Sequence, residues 1–122
     1  MYLLAVEKDF DAAHYLRGYR GRCEHLHGHR FRVIARVKTE KLDRMGMAYD
    51  FTLFKKMLAA VLEKYDHRCL NDIVPFNKIN PSSENIAAII YKEIRKSLPE
   101  TVTLDSVEVW ESPEACATYK PE

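Results

Sequence analysis

The stretch His27-Gly28-His29-Arg30-Phe31-Arg32-Val33-Ile34-Ala35-Arg36-Val37-Lys38 decides how the chain is read. His27, His29, Phe31, Val33, Ala35 and Val37 recur at every second position, the period of a strand with one covered face. The other side carries Arg30, Arg32, Ile34, Arg36 and Lys38, so it meets solvent or a water-filled space. Two histidines thus continue an apolar stripe. Side chains two apart on a strand start roughly 6.6 Å from each other, a span that two imidazoles close onto one ion. Gly28, between them, leaves the back of the strand bare.

Upstream, Tyr2, Leu4, Val6, Phe10 and Ala12 alternate in the same way, and His14 falls on their side. If the two strands pair, three histidines cluster on a rigid sheet. Three neutral nitrogens with one open position describe a catalytic zinc site. Taken singly, each histidine is an ordinary strand residue satisfied by its neighbours; three in phase with an apolar face favour a metal. Cys23, four residues before His27, has two possible roles. As a fourth ligand it makes the zinc structural; as a free thiolate beside an open metal it is a base or nucleophile. His25 shares the parity of His27 but sits at the loop edge and is not expected to ligate. Cys69 and Cys116 have no comparable company and read as small buried hydrophobes.

Downstream, Gly46 marks a turn and Asp50 caps a helix whose apolar positions are Phe51, Phe54, Leu58, Val61, Leu62 and Tyr65. The segment from Asp66 to Pro81 is polar and broken by Pro75 and Pro81, which predicts a long surface loop. Ser82 or Ser83 caps a second helix with the stripe Ile86, Ile89, Ile90, Ile94 and Leu98, and Pro99 stops it. Two closing strands, near 102–111 and 115–120, meet at a Ser112-Pro113 turn. The order strand, strand, helix, helix, strand, strand predicts an α+β domain: an antiparallel sheet with both helices on one face. Asp66 and His67 form either a proton-transfer unit or a helix-end pair resting on the helix dipole. Glu111 shares the parity of Val107 and Val109. It either ends the strand in solvent or is a buried carboxylate awaiting a donor-rich ligand.

With 122 residues, 47% hydrophobic and 30% charged, the chain has the size of one soluble domain over 1–122. Nineteen Lys plus Arg against eighteen Asp plus Glu leave a formal charge of +1. No whole-molecule field therefore draws it to nucleic acid or an anionic membrane, and neither is an expected partner. No apolar run approaches the roughly 20 residues that span a bilayer. The first residues lack the pattern of a secretion signal, and the odd count of three cysteines fits a reducing cytoplasm.

Phe10-Asp11-Ala12-Ala13-His14, Cys23 with His27-Gly28-His29, Tyr49-Asp50-Phe51, Asp66-His67 with Leu70-Asn71-Asp72, Pro81-Ser82-Ser83-Glu84-Asn85 and Glu111 together resemble the 6-pyruvoyl-tetrahydropterin synthase and 6-carboxy-tetrahydropterin synthase family. The resemblance implies a tunnelling fold: subunits with a four-stranded antiparallel sheet and two helices close as trimers into a twelve-stranded β-barrel, and two trimers stack as a homohexamer. Arg30, Arg32 and Arg36 would then line the barrel lumen. It further implies that His14, His27 and His29 hold zinc, that Cys23, Asp66 and His67 move protons, and that Glu111 anchors a pterin whose edge Ser82 and Ser83 contact. Relatives draw the Asp-His pair from a neighbouring subunit.

The implied activity is that of a zinc-dependent lyase, a 6-carboxy-5,6,7,8-tetrahydropterin synthase. It would act on 7,8-dihydroneopterin triphosphate, releasing acetaldehyde and triphosphate, in queuosine and deazapurine biosynthesis. A 6-pyruvoyl-tetrahydropterin synthase is one alternative. Glu24, directly after Cys23, resembles a further branch that makes 6-hydroxymethyl-dihydropterin for folate, so a dual enzyme is another; otherwise Glu24 is a solvated loop carboxylate. A different class is a non-catalytic interaction domain, stabilised by zinc with Cys23 as fourth ligand, which would unfold on metal removal.

Overall fold

The computed structural model describes residues 1–21 and 24–121. Strands β1 (Tyr2–His14) and β2 (His27–Thr39) form a long antiparallel pair with Phe10 opposite Phe31 and His14 opposite His27. Each strand alternates as its sequence predicts. Phe31, Val33, Ala35 and Val37 of β2 are buried together with Val6, Phe10 and Ala12 of β1.

Helix α1 (Phe51–Glu63) begins where the Asp50 carboxylate accepts from the Thr52 N–H at 2.7 Å. This bond satisfies one of the donors that a helix start leaves orphaned. Phe54, Leu58, Val61 and Leu62 face the sheet. Phe51 does not: it sits at the first helical position, a turn ahead of the buried stripe, and is exposed. Helix α2 (Ser83–Ser97) is capped by the Ser82 hydroxyl, which accepts from the Asn85 N–H at 3.2 Å, and it buries Ile86, Ala87, Ile90 and Ile94. Both helices pack on one face of the sheet, α1 mainly against β1 and α2 against β4 and β5.

After α2, β4 (Thr103–Ser112) pairs with β2, and β5 (Ala115–Tyr119) pairs with β4. The sheet has five strands rather than four, in the order β3-β1-β2-β4-β5. The additional one is β3 (Arg68–Cys69), two residues running parallel to Ala12–Ala13. It lies inside the segment that its polarity marks as a surface loop. That segment holds Leu70 and Phe76, both fully buried, and a 3-10 turn at Leu70–Asp72.

Two asparagines hold it in place. The Asn71 side chain accepts from the Tyr15 N–H and donates to the Tyr15 carbonyl, both at 3.0 Å. Asn80 repeats the arrangement on Arg17, both at 2.9 Å. Each amide thereby imitates the edge of a neighbouring strand, so residues that look solvent-seeking are used as backbone partners. Of the cysteines assigned to the interior, Cys69 is half-buried and Cys116 is exposed on β5.

The arginine side of β2 is paired rather than bare. Arg30 lies 3.1 Å from Asp11, Arg36 lies 3.1 Å from Glu108, and Arg32 stacks over Trp110. Among the described residues no helix is long and apolar enough to cross a membrane.

Asn71→Ala removes two hydrogen bonds from a backbone that stays buried. The expected loss is about 1–3 kcal/mol, seen as a lower denaturant midpoint at unchanged slope. An unchanged midpoint would show that the 66–81 segment is not tied down through Asn71.

Candidate metal centre

The register of β1 on β2 sets His14 directly across from His27, with His29 opposite Ala12. The three imidazoles meet edge to face, with centroids 4.6 Å apart for His14 and His27, 5.2 Å for His14 and His29, and 4.7 Å for His27 and His29. Phe31 closes the floor against His14 and His29.

Backbone carbonyls orient two of the rings. His14 Nδ1 donates to the Pro81 carbonyl at 2.7 Å, and His27 Nδ1 donates to the His25 carbonyl at 2.7 Å. A carbonyl can only accept, so in both neutral rings Nδ1 carries the proton and Nε2 presents a lone pair. His25 itself is exposed, its ring 3.6 Å from Glu24. Its contribution is its carbonyl.

Glu111 enters from β4. The β4–β5 register shifts by one between Trp110 and Ser112, which leaves Glu111 as the extra residue of a β-bulge. Bulges bend a strand and re-aim a side chain. Here the carboxylate reaches the histidines: Oε1 lies 2.9 Å from His29 Nε2 and 3.4 Å from His14 Nε2. Its Oε2 accepts from the Ser83 hydroxyl at 3.3 Å.

Burial, the largest cause, holds the pKa of His14 and His29 below the ordinary histidine value, against the Pro81 carbonyl bond on His14 and the Glu111 charge on both. His14 Nε2 and His29 Nε2 are buried without a hydrogen-bond partner. An unpartnered polar atom in the interior is costly, and the His14 lone pair, facing a carboxylate oxygen, is worse placed still. A cation between them removes both penalties. One donor atom from each of His14, His27, His29 and Glu111 lies within 4.8 Å of all the others, and imidazole with carboxylate is a donor set that suits zinc. The site fits a metal ion.

Asp66 and His67 form a second group with Asp11. Asp66 Oδ1 accepts from the Asp11 N–H at 2.9 Å, and Oδ2 lies 3.0 Å from His67 Nδ1. The Asp11 N–H first, and His67 after it, keep the Asp66 carboxyl below its usual range. His67 has φ +60, a left-handed conformation uncommon outside glycine and often found at functional positions. Its own N–H is tied to the Asp11 carbonyl at 2.6 Å. His67 lines an open cleft whose walls also include Asp11, Ala13, Gly28, His29, Arg30 and Arg68. Within one chain Asp66 and His67 group with Asp11 and not with the three histidines and Glu111.

Of the remaining expected site residues, Ser82 is occupied as the α2 cap and Ser83 is the one beside Glu111. Glu24 is exposed, and Cys23 lies outside the described residues. Two groups escaped the sequence reading, the carbonyls of Pro81 and His25. A backbone acceptor leaves no mark on residue type; the only available hint is that Pro81 immediately precedes the α2 cap.

Residues 3–122 match the family model described as 6-pyruvoyl tetrahydropterin synthase. A dihydroneopterin monophosphate aldolase of Pyrococcus furiosus is 40% identical over 105 residues, covering 86% of this chain and 85% of the relative. A 6-carboxy-5,6,7,8-tetrahydropterin synthase of Synechocystis is 35% identical over 124 residues, covering 98% and 93%. The solved 6-pyruvoyl tetrahydropterin synthase of Caenorhabditis elegans superposes with a TM-score of 0.86 at 28% identity, over 100% of this chain and 98% of that one. With two helices on one face of an antiparallel sheet and this histidine cluster at the β1–β2 end, the chain has the tunnelling fold and belongs to the 6-pyruvoyl tetrahydropterin synthase family.

Proposed function

We propose that the protein is a zinc-dependent 6-carboxy-5,6,7,8-tetrahydropterin synthase acting on 7,8-dihydroneopterin triphosphate in the cytoplasm, in queuosine-type deazapurine synthesis. The observation that carries it is the pair of buried, unpartnered imidazole nitrogens of His14 and His29 facing Glu111, in a chain whose relatives include a synthase of that name.

His14, His27 and His29 would hold the zinc. When bound, it supplies Lewis acidity that eases deprotonation of the substrate side-chain hydroxyls. The chain's own residues do the rest. Glu111 accepts from the adjacent N–H donors of the pterin ring, which a single carboxylate can meet side by side, and Ser83 holds that carboxylate in place. Ser82 keeps the α2 start beside the ring edge. Cys23 and His67 move protons between ring and side chain, and Asp66 fixes His67 Nδ1 so that Nε2 is free for transfer. Asp66 and His67 group with Asp11 rather than with the histidine cluster of their own chain, which supports their serving the site of another subunit. The assembly proposed is a homohexamer with sites between subunits.

A second activity, cleavage to 6-hydroxymethyl-dihydropterin, has its own support. Glu24 is an exposed carboxylate close to the histidines in sequence, and a 40% identical relative is a dihydroneopterin monophosphate aldolase. Glu24 would be the base for that route.

Elemental analysis of His29→Ala is expected to find the metal lost or greatly weakened from one zinc per subunit; full retention defeats the assignment. Incubation with 7,8-dihydroneopterin triphosphate and with dihydroneopterin, read by mass, separates the two routes. Cys23→Ala should lose carboxy-pterin by about 10²- to 10⁴-fold, and Glu24→Ala should lose only the hydroxymethyl product. If Glu24→Ala changes no product and no rate, the second activity is absent. Mixing inactive Cys23→Ala with inactive His67→Ala should restore activity once subunits exchange. No recovery after verified exchange would place both residues in one chain's site.

A further inference from the structure

We propose that Glu111 is the fourth ligand of the metal while no substrate is bound, an exchangeable carboxylate that an incoming pterin draws off the ion. This rests on the zinc reading above and adds to it a resting state in which the coordination shell is closed by the same residue that receives the substrate.

The geometry carries the inference. The Nδ1 atoms of His14 and His27 are committed to backbone carbonyls, so their Nε2 lone pairs are fixed toward the centre of the cluster. Glu111 Oε1 stands 2.9 Å from His29 Nε2 and 3.4 Å from His14 Nε2. His14 Nε2, a lone pair because Nδ1 donates to the Pro81 carbonyl, faces a carboxylate oxygen, and two acceptors so placed repel unless a cation lies between them. The other oxygen, Oε2, is held by Ser83, leaving Oε1 as the free donor aimed at the histidines. The bulge at Glu111 is the backbone device that directs it there.

Exposure separates the ligands by role. The His14 side chain is 2% exposed and that of Glu111 is 31% exposed. The histidine is thus locked into the sheet, while the carboxylate stands at the mouth, where a ring with paired N–H donors can reach it. One residue then couples two events: pterin binding removes an oxygen from the ion and opens a coordination position for the substrate side chain.

The test uses the cobalt-substituted protein, since the ligand-field bands of cobalt report coordination without any turnover. Wild type, Glu111→Ala and Ser83→Ala are compared by chelator competition for affinity and by visible absorption. Glu111→Ala is expected to bind cobalt about 10- to 100-fold more weakly with altered bands. Ser83→Ala should show a smaller change of the same kind. Adding 7,8-dihydroneopterin should shift the wild-type bands in the direction set by Glu111→Ala. Should Glu111→Ala match wild type in both affinity and bands, Glu111 is not a ligand and the inference fails while the three-histidine site stands. A wild type that takes up no cobalt overturns the metal reading itself, and this inference with it.

Discussion

The pairing register of β1 on β2 is the constraint on which the site depends. It puts His14 across from His27 and stacks Phe10 on Phe31, with centroids 5.0 Å apart. Side chains on a strand alternate, so a slip of one residue would turn a whole face over. His27 and His29 would move to the arginine side, and Phe31, Val33 and Ala35 would leave the core with them. The hydrophobic burial that stabilises the sheet therefore also enforces the position of the imidazoles. The histidine cluster needs no separate structural device to hold its three rings on one face.

What the sheet leaves undetermined, backbone carbonyls and a bulge complete. Ring orientation comes from the carbonyls of Pro81 and His25, each fixed by the local chain path. Pro81 is held between Asn80, whose side chain clasps Arg17, and Ser82, which caps α2. Through these bonds the long segment after α1, the start of α2 and the end of β1 become one frame around His14. Asp66 and His67, by contrast, gather with Asp11 in a second group.

The strand and helix pattern was legible because burial on this sheet is one-sided. Alternation in β1 and β2, the Asp50 and Ser82 caps and the stop at Pro99 follow from sequence periods and local hydrogen bonding. The convergence of His14, His27 and His29 followed from parity. The rest depended on groups that periodicity does not see. Strand β3 is two residues long, too short to alternate, and Leu70 and Phe76 are buried singly within a polar run. Asn71 and Asn80 look like loop residues because their partners are main-chain atoms more than fifty positions away. Parity aimed Glu111 at the covered face, but the bulge that brings it to His29 appears only in the β4–β5 register.

The account stands on a metal held by histidines at the closed end of β1 and β2, with Cys23 kept free for proton transfer. X-ray absorption at the zinc edge of the purified protein examines this most directly. The account predicts only nitrogen and oxygen neighbours, at about 2.0–2.1 Å. A sulfur neighbour at about 2.3 Å would make Cys23 a ligand and the zinc a structural one, and would contradict it.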